Sequence, residues 1–194
     1  EFEGLDVKNP LWRIPASRMK GGQDRKDEIG GDHLVPLAHQ SIAVLRAIWP
    51  LTGAGSFVFP CSRHAHRPMS ENAIGYLLNR AGYHGRHVPH GYRAAFSTIM
   101  NERAEQHGKE HDRKIIDLML AHVPKEKIES AYNRAAYLHR RRELAQIWAD
   151  MLSTHLPPPL ILLQRPARDT GDHSRRRVPD PVPVDFRFGT NSGT

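Results

Sequence analysis

Pro89-His90-Gly91-Tyr92-Arg93, taken with Leu120-Ala121-His122 and Ala131-Tyr132-Asn133-Arg134, decides how this chain is read. In order along the sequence these stretches present His-x-x-Arg, a second His and a Tyr. The three side-chain types suit chemistry on a phosphodiester. A guanidinium is a planar fork of donors that grips two phosphate oxygens at once. An imidazole changes protonation near neutral pH and so carries protons. A phenol becomes a covalent nucleophile where its surroundings activate it.

Taken singly, each piece also has a purely structural explanation. His90 and Arg93 lie three residues apart at the start of an expected helix and share one face of it. A helix-capping His and a salt-bridged Arg would look the same. His122 closes an apolar segment ahead of Pro124, where a helix C-terminus favours an imidazolium. Tyr132 stands near Lys125, Lys127 and Arg134, cations that favour the phenolate. Tyr137 is five residues on and also flanked by basic residues. Local chemistry does not separate the two tyrosines, and packing would explain either.

Composition adds a partner class. Lys and Arg total 28 against 21 Asp and Glu, a net charge of +7 with neutral His. That balance favours a polyanion, nucleic acid first. A length of 194 residues with 39% hydrophobic content fits one charged globular domain and a tail. No apolar run approaches the roughly 20 residues that span a bilayer. Glu1-Phe2-Glu3-Gly4 has neither the basic nor the apolar region of a secretory leader. Cys61 is the single cysteine, which suits a reducing compartment, and a cytoplasmic location is expected. The sequence opens without Met and is expected to be a piece of a longer chain.

Residues 12–15 and 33–37 read as two short strands of a small β unit. The polar, Gly-rich connection 21–31 between them is long for a hairpin loop. Ile42, Leu45, Ala47 and Ile48 recur at helical spacing over 38–49, and Pro50 with Gly53 is expected to end that helix. Residues 57–59 read as a strand stopped by Pro60. Ser70 reads as the N-cap of a helix running to about Ala81. A further helix follows His90, with Ala95, Ile99 and Met100 near one face. Asp112 is expected to cap the helical segment that carries Ile115, Ile116 and Leu120. A short helix is expected over 126–135, around Tyr132, and a longer one over 138–153. Seven of the 15 prolines fall in residues 157–194. Such a segment buries too little apolar surface to offset its ordering entropy. The chain therefore divides into a domain over 1–156 and a Pro/Arg-rich disordered tail over 157–194. Residues 160–163 form the tail's one apolar cluster, suited to docking on the domain or on a partner.

Together the segments resemble the tyrosine recombinase (phage integrase) family, in particular its genomic-island integrase branch. That family presents a Lys on a β-hairpin, then His-x-x-Arg, a later His or Trp, then Tyr. The likeness runs from about Trp12 to Leu152. Its anchors are Trp12-Arg13-Ile14-Pro15-Ala16-Ser17-Arg18-Met19-Lys20, His33-Leu34-Val35-Pro36-Leu37, Pro68-Met69-Ser70-Glu71-Asn72-Ala73-Ile74 and Ala131-Tyr132-Asn133-Arg134-Ala135-Ala136-Tyr137-Leu138. It implies an α+β, mainly α fold: the tyrosine recombinase catalytic domain, with a small antiparallel β-sheet at its N-terminus.

The resemblance also assigns roles. Tyr132 would attack a DNA phosphate and form a 3′-phosphotyrosine bond. The ten-residue step from His122 to Tyr132 fits the family's spacing, and the longer step to Tyr137 does not. Arg93 would hold the non-bridging oxygens and stabilise the pentavalent state. His90 would transfer a proton with Tyr132, and His122 would hydrogen-bond the phosphate. Lys20 matches the hairpin Lys that protonates the leaving 5′-oxygen, with Lys26 a rival in the same connection. No metal, nucleotide or other cofactor is implied. The implied partners are a double-stranded DNA attachment site and further copies of the chain in a synaptic tetramer, for integration or excision of a mobile element.

One family element finds no match. An earlier Arg, on a helix before the hairpin, normally shares the phosphate with the later Arg. Arg13 and Arg18 lie in the strand segment itself. The sequence is therefore expected to be N-terminally incomplete and defective in recombination by itself. A non-catalytic DNA-binding remnant of an integrase is the main alternative, and a type IB topoisomerase-like enzyme a more distant one. Cys61-x-x-His64-x-His66 and His84-x-x-His87-x-x-His90 have ligand-like spacing but match no standard zinc pattern, so they are read as solvated loop residues near a DNA surface.

Overall fold

The chain, seen as a computed structural model, is described over residues 2–3, 9–19, 26, 31–121 and 137–163. Strands β1 (Phe2–Glu3), β2 (Leu11–Ile14) and β3 (His33–Pro36) form one antiparallel sheet in the order β1-β2-β3. β2 and β3 pair from Leu11↔Pro36 to Ile14↔His33, close to the expected strands. Pro15 leaves the ladder and starts a 3-10 turn over Ala16–Arg18. Asp32 closes the root of the hairpin. Its carboxylate accepts the Ala16 backbone N–H at 3.0 Å and a guanidinium N–H of Arg13 at 3.3 Å.

Helix α1 (His39–Thr52) runs through Pro50 rather than stopping there. A proline in the last turn forfeits one ladder bond, to the carbonyl four residues back. The helix still closes, with the Gly53 N–H on the Trp49 carbonyl at 2.8 Å. Residues 57–59 do not form the expected strand. Only an isolated bridge, Pro60↔Pro68, follows them. Neither proline has an N–H to extend a ladder, so the pairing ends after Cys61 N–H to Arg67 O and Met69 N–H to Phe59 O.

Ser70 does not cap helix α2 (Ala73–Leu78), which starts after Asn72. Its hydroxyl instead accepts the Asn72 N–H at 3.3 Å, in a turn just ahead of the helix. The helix also ends earlier than expected. A wide turn over Asn79–Tyr83 follows, with Gly82 at φ 87°. That conformation suits glycine and stops the helix.

Helices α3 (Gly91–Gln106), α4 (Asp112–Met119) and α5 (Leu138–Ser153) enclose the main core. Met100 and Ala104 of α3 meet Ile115 and Ile116 of α4, Leu120 just beyond it, and Leu144 of α5. Phe96 meets Trp148 edge-on, with ring centroids 5.3 Å apart. Asp112 is not the cap of α4; His111 holds that position, and Asp112 is the first helical residue. Its carboxylate is buried, 1% exposed, and faces α5. There the Arg140 guanidinium grips both oxygens, at 2.9 and 2.6 Å. A buried carboxylate gains more from a bidentate cation than from a single backbone N–H. Arg140 also donates to Glu143.

The next residue, Arg141, is 2% exposed and donates to the Leu34 carbonyl of β3. Burial lowers its pKa. Further along α5, Gln146 accepts the His39 N–H at 3.1 Å and donates to Gln40 at 2.9 Å. One helix is thus tied to α4, to the sheet and to α1. The apolar cluster of the expected tail forms a short helix, α6 (Pro159–Leu162), packed against α1. Residues 164–194 lie outside the described residues, as does the expected helix over 126–135. The described residues make an α+β arrangement that is mainly helical, as the sequence implies. Among them, no helix is long and apolar enough to cross a membrane.

Asp112→Asn should cost about 1–3 kcal/mol, because it removes the buried one of the two carboxylates that Arg140 grips and leaves it only the more exposed Glu143. The Arg140 hydrogen bonds hold the Asp112 carboxyl below its ordinary range. A depressed carboxyl adds stability above its unfolded pKa, about 3.9, and loses it as pH falls through the folded value. Urea unfolding should therefore show the full difference between wild type and Asp112→Asn near neutral pH. The difference should shrink as pH drops below about 4.

Candidate active site

The first turn of α3 carries two of the expected site residues. His90 immediately precedes the helix with helical backbone angles and makes no side-chain capping bond. It is exposed rather than committed to a cap. Arg93 is half-buried, and its guanidinium donates to the Leu120 carbonyl at the end of α4. The last carbonyls of a helix have no partner within it and carry the negative end of its dipole. A cation is the natural group to meet them.

Ala121 follows with φ 54°, a left-handed residue that turns the chain out of α4. His122 comes next and lies outside the described residues. The structure thus joins the His-x-x-Arg turn to a point two residues before His122. It makes this junction through a backbone carbonyl, which leaves no trace in residue identities.

Tyr132 and Lys20 also lie outside the described residues. Between residues 20 and 30 only Lys26 is described, and it is exposed. The flanks of the tyrosine segment are well placed. Ala121 closes α4, and Tyr137, at φ 59°, opens α5. The Tyr137 carbonyl accepts the Arg141 N–H at 2.8 Å, so its backbone starts the helix while its side chain stays half-exposed. The Asp112–Arg140 pair fixes α4 against α5. Both chain attachments of the segment bearing Tyr132 are therefore held.

His87 is a residue whose place the sequence does not announce. Its ring lies against the start of α3, edge-on to Tyr92 with centroids 4.6 Å apart. A Cβ on Gly91 would fall 2.7 Å from His87 Cε1. Glycine at that position admits the ring, and the only sequence signal was the regular spacing of His84, His87 and His90. Arg80, His84, Arg86 and His90 are exposed along the approach to α3, a basic rim beside the first turn.

Among the described residues, no group of three or more His, Cys, Asp or Glu gathers as a metal site. The His64 and His66 rings stand 5.7 Å apart. The backbone N–H groups of Arg63 and His64 lower the Cys61 thiol pKa.

Over 151 residues the chain is 37% identical to prophage integrase IntA of Escherichia coli strain K12, a match covering 78% of this chain and 33% of that protein. It is 37% identical to the integrase of Shigella phage Sf6 over 153 residues, 78% of this chain and 36% of that one. The integrase of Enterobacteria phage P4 is 30% identical over 160 residues, 78% and 35% of the two chains. The chain spans about a third of the length of these curated relatives. No family model matches it, and no solved structure gives a significant match.

Gly91→Ala should push the His87 ring off the helix start at a cost of about 1 kcal/mol. The ring-current shifts of the His87 imidazole beside Tyr92, followed by NMR, should collapse toward those of a solvated histidine.

Proposed function

The chain belongs to the phage integrase (tyrosine recombinase) family, and from that premise we propose that it cuts and rejoins duplex DNA through a 3′-phosphotyrosine bond on Tyr132. The observation that carries the reading is the Arg93–Leu120 contact. It supports a site in which the His-x-x-Arg turn works beside His122 and the tyrosine segment that follows. On this reading the domain has the catalytic-domain fold of its family.

The phenol proton of Tyr132 passes to His90, and the phenolate oxygen bonds to phosphorus. Arg93 and His122 hold the non-bridging oxygens as charge builds in the pentavalent state. The P–O5′ bond breaks, and the leaving oxygen takes a proton from Lys20. Another strand's 5′-hydroxyl reverses the step and completes the exchange, so the bond energy is retained without metal or nucleotide. An arginine has five N–H donors. The Leu120 carbonyl engages one side of the Arg93 fork, which orients the rest toward a phosphate. The substrate is a double-stranded attachment site held mainly through its phosphates, within a synaptic tetramer that integrates or excises a mobile element.

A nicked duplex whose short cleaved end diffuses away traps the covalent complex irreversibly, so even slow cleavage accumulates. Wild type should form that complex, and Tyr132→Phe should form none. Arg93→Ala should slow its formation by about a hundredfold, near 3 kcal/mol of transition-state stabilisation. Because the sequence offers no counterpart of the earlier arginine, residues 1–194 alone should recombine at least about a hundredfold more slowly than an intact integrase. Equal rates would contradict that. Absence of any covalent complex, even when an upstream region carrying the earlier arginine is joined to residues 1–194, would favour the non-catalytic DNA-binding remnant.

A further inference from the structure

We propose that Arg141 and Asp32 form a mount that positions the β2–β3 hairpin, and with it Lys20, for protonation of the leaving oxygen. The proposal rests on the reading of Tyr132 and Lys20 given above. Two independent contacts carry it. β3 is an edge strand of the sheet, so some of its carbonyls have no strand partner. Arg141, buried at 2% exposure, supplies a donor to the Leu34 carbonyl. Leu34 pairs in register with Arg13 on β2. Asp32, at the root, bonds Arg13 from one oxygen and the Ala16 N–H from the other. Both strands that enter and leave the connection bearing Lys20 are therefore pinned.

The anchor of this mount is significant. Arg141 sits in the first turn of α5, bonded through its N–H to Tyr137. α5 is the helix that follows the nucleophile segment. The hairpin and the nucleophile segment are thus referred to one rigid element. A buried cation is a costly way to fill space, and an apolar side chain of similar volume would serve packing as well or better. What a guanidinium adds is a directional bond to the hairpin's backbone.

Arg141 and Asp32 are positioning residues on this account, and a leaving-group test separates that from a general structural role. In the ordinary substrate the P–O5′ bond breaks and the oxygen must acquire a proton from Lys20. With sulfur at the 5′-bridging position, the P–S bond breaks and a thiolate departs unprotonated, because thiols have a pKa of about 8.5. Arg141→Lys shortens and loses the fork, and Asp32→Ala removes the clamp at a partly exposed root. Each should slow suicide trapping of the oxygen substrate by about tenfold or more while trapping the sulfur substrate within about twofold of wild type, the pattern expected of Lys20→Ala. Equal slowing on both substrates, or none on either, overturns the proposal. Circular dichroism melting checks that each variant is folded. If Arg141→Lys does not fold, the Asp32→Ala ratio of oxygen to sulfur rates decides. Trapping by Tyr132→Phe, or no trapping by wild type on either substrate, would instead overturn the nucleophile assignment.

Discussion

The arrangement hinges on the contact between the Arg93 guanidinium and the Leu120 carbonyl. A cation at a helix C-terminus is worth about 1 kcal/mol or less at a partly exposed site. Fully burying a single side chain such as Met100 or Ile116 is worth about 2 kcal/mol. The core therefore holds α3 against α4, and the arginine does something else. It sets where the first turn of α3 meets the end of α4. Two stretches separated by 27 residues of chain become neighbours at one point. The left-handed Ala121 then releases the chain toward His122 from that point.

Helix α5 supplies the second constraint. Arg140 and Arg141 are adjacent, and successive residues on a helix project about 100° apart. One side chain therefore reaches α4 and the other reaches β3. The first ends on a buried carboxylate, the second on a strand carbonyl. Such pairs add little net stability over apolar packing, but breaking one leaves a buried charge. Their effect is to exclude other relative placements of α4, α5 and the sheet. The segment carrying Tyr132 begins and ends on elements held in this way.

Much of the fold was legible because it is local. Residues 12–15 and 33–37 are short apolar-rich runs next to turn residues, and the observed strands fall within a residue of them. The helix over 138–153 has the apolar spacing of Leu144, Ile147 and Trp148. The misreadings came where one local signal outweighed another, or where a neighbour distant in sequence overrode it. Pro50 reads as a stop but falls in a last turn that loses one bond. Residues 57–59 have strand composition but lead into two prolines that cannot extend a ladder. Asp112 reads as a cap, and its actual partner lies 28 residues away. Nothing in the run Arg140-Arg141-Arg142 marks its middle residue for burial, yet Arg141 is among the most buried residues described. The order of segments put forward His122, Tyr132 and Lys20, which lie outside the described residues, and within the site the shared turn of His90 and Arg93 was legible. The Leu120 carbonyl and the packing of His87 against Gly91 were not, because one is backbone and the other depends on a missing Cβ.

The nucleophile assignment bears on all of this, since the two left-handed flanks matter only if the reactive phenol lies between them. Peptide mapping by mass spectrometry of the covalent complex, after nuclease digestion of its DNA, tests it directly. The account predicts a nucleotide remnant on Tyr132 and none on Tyr137. A remnant on Tyr137 or on any other residue would contradict it.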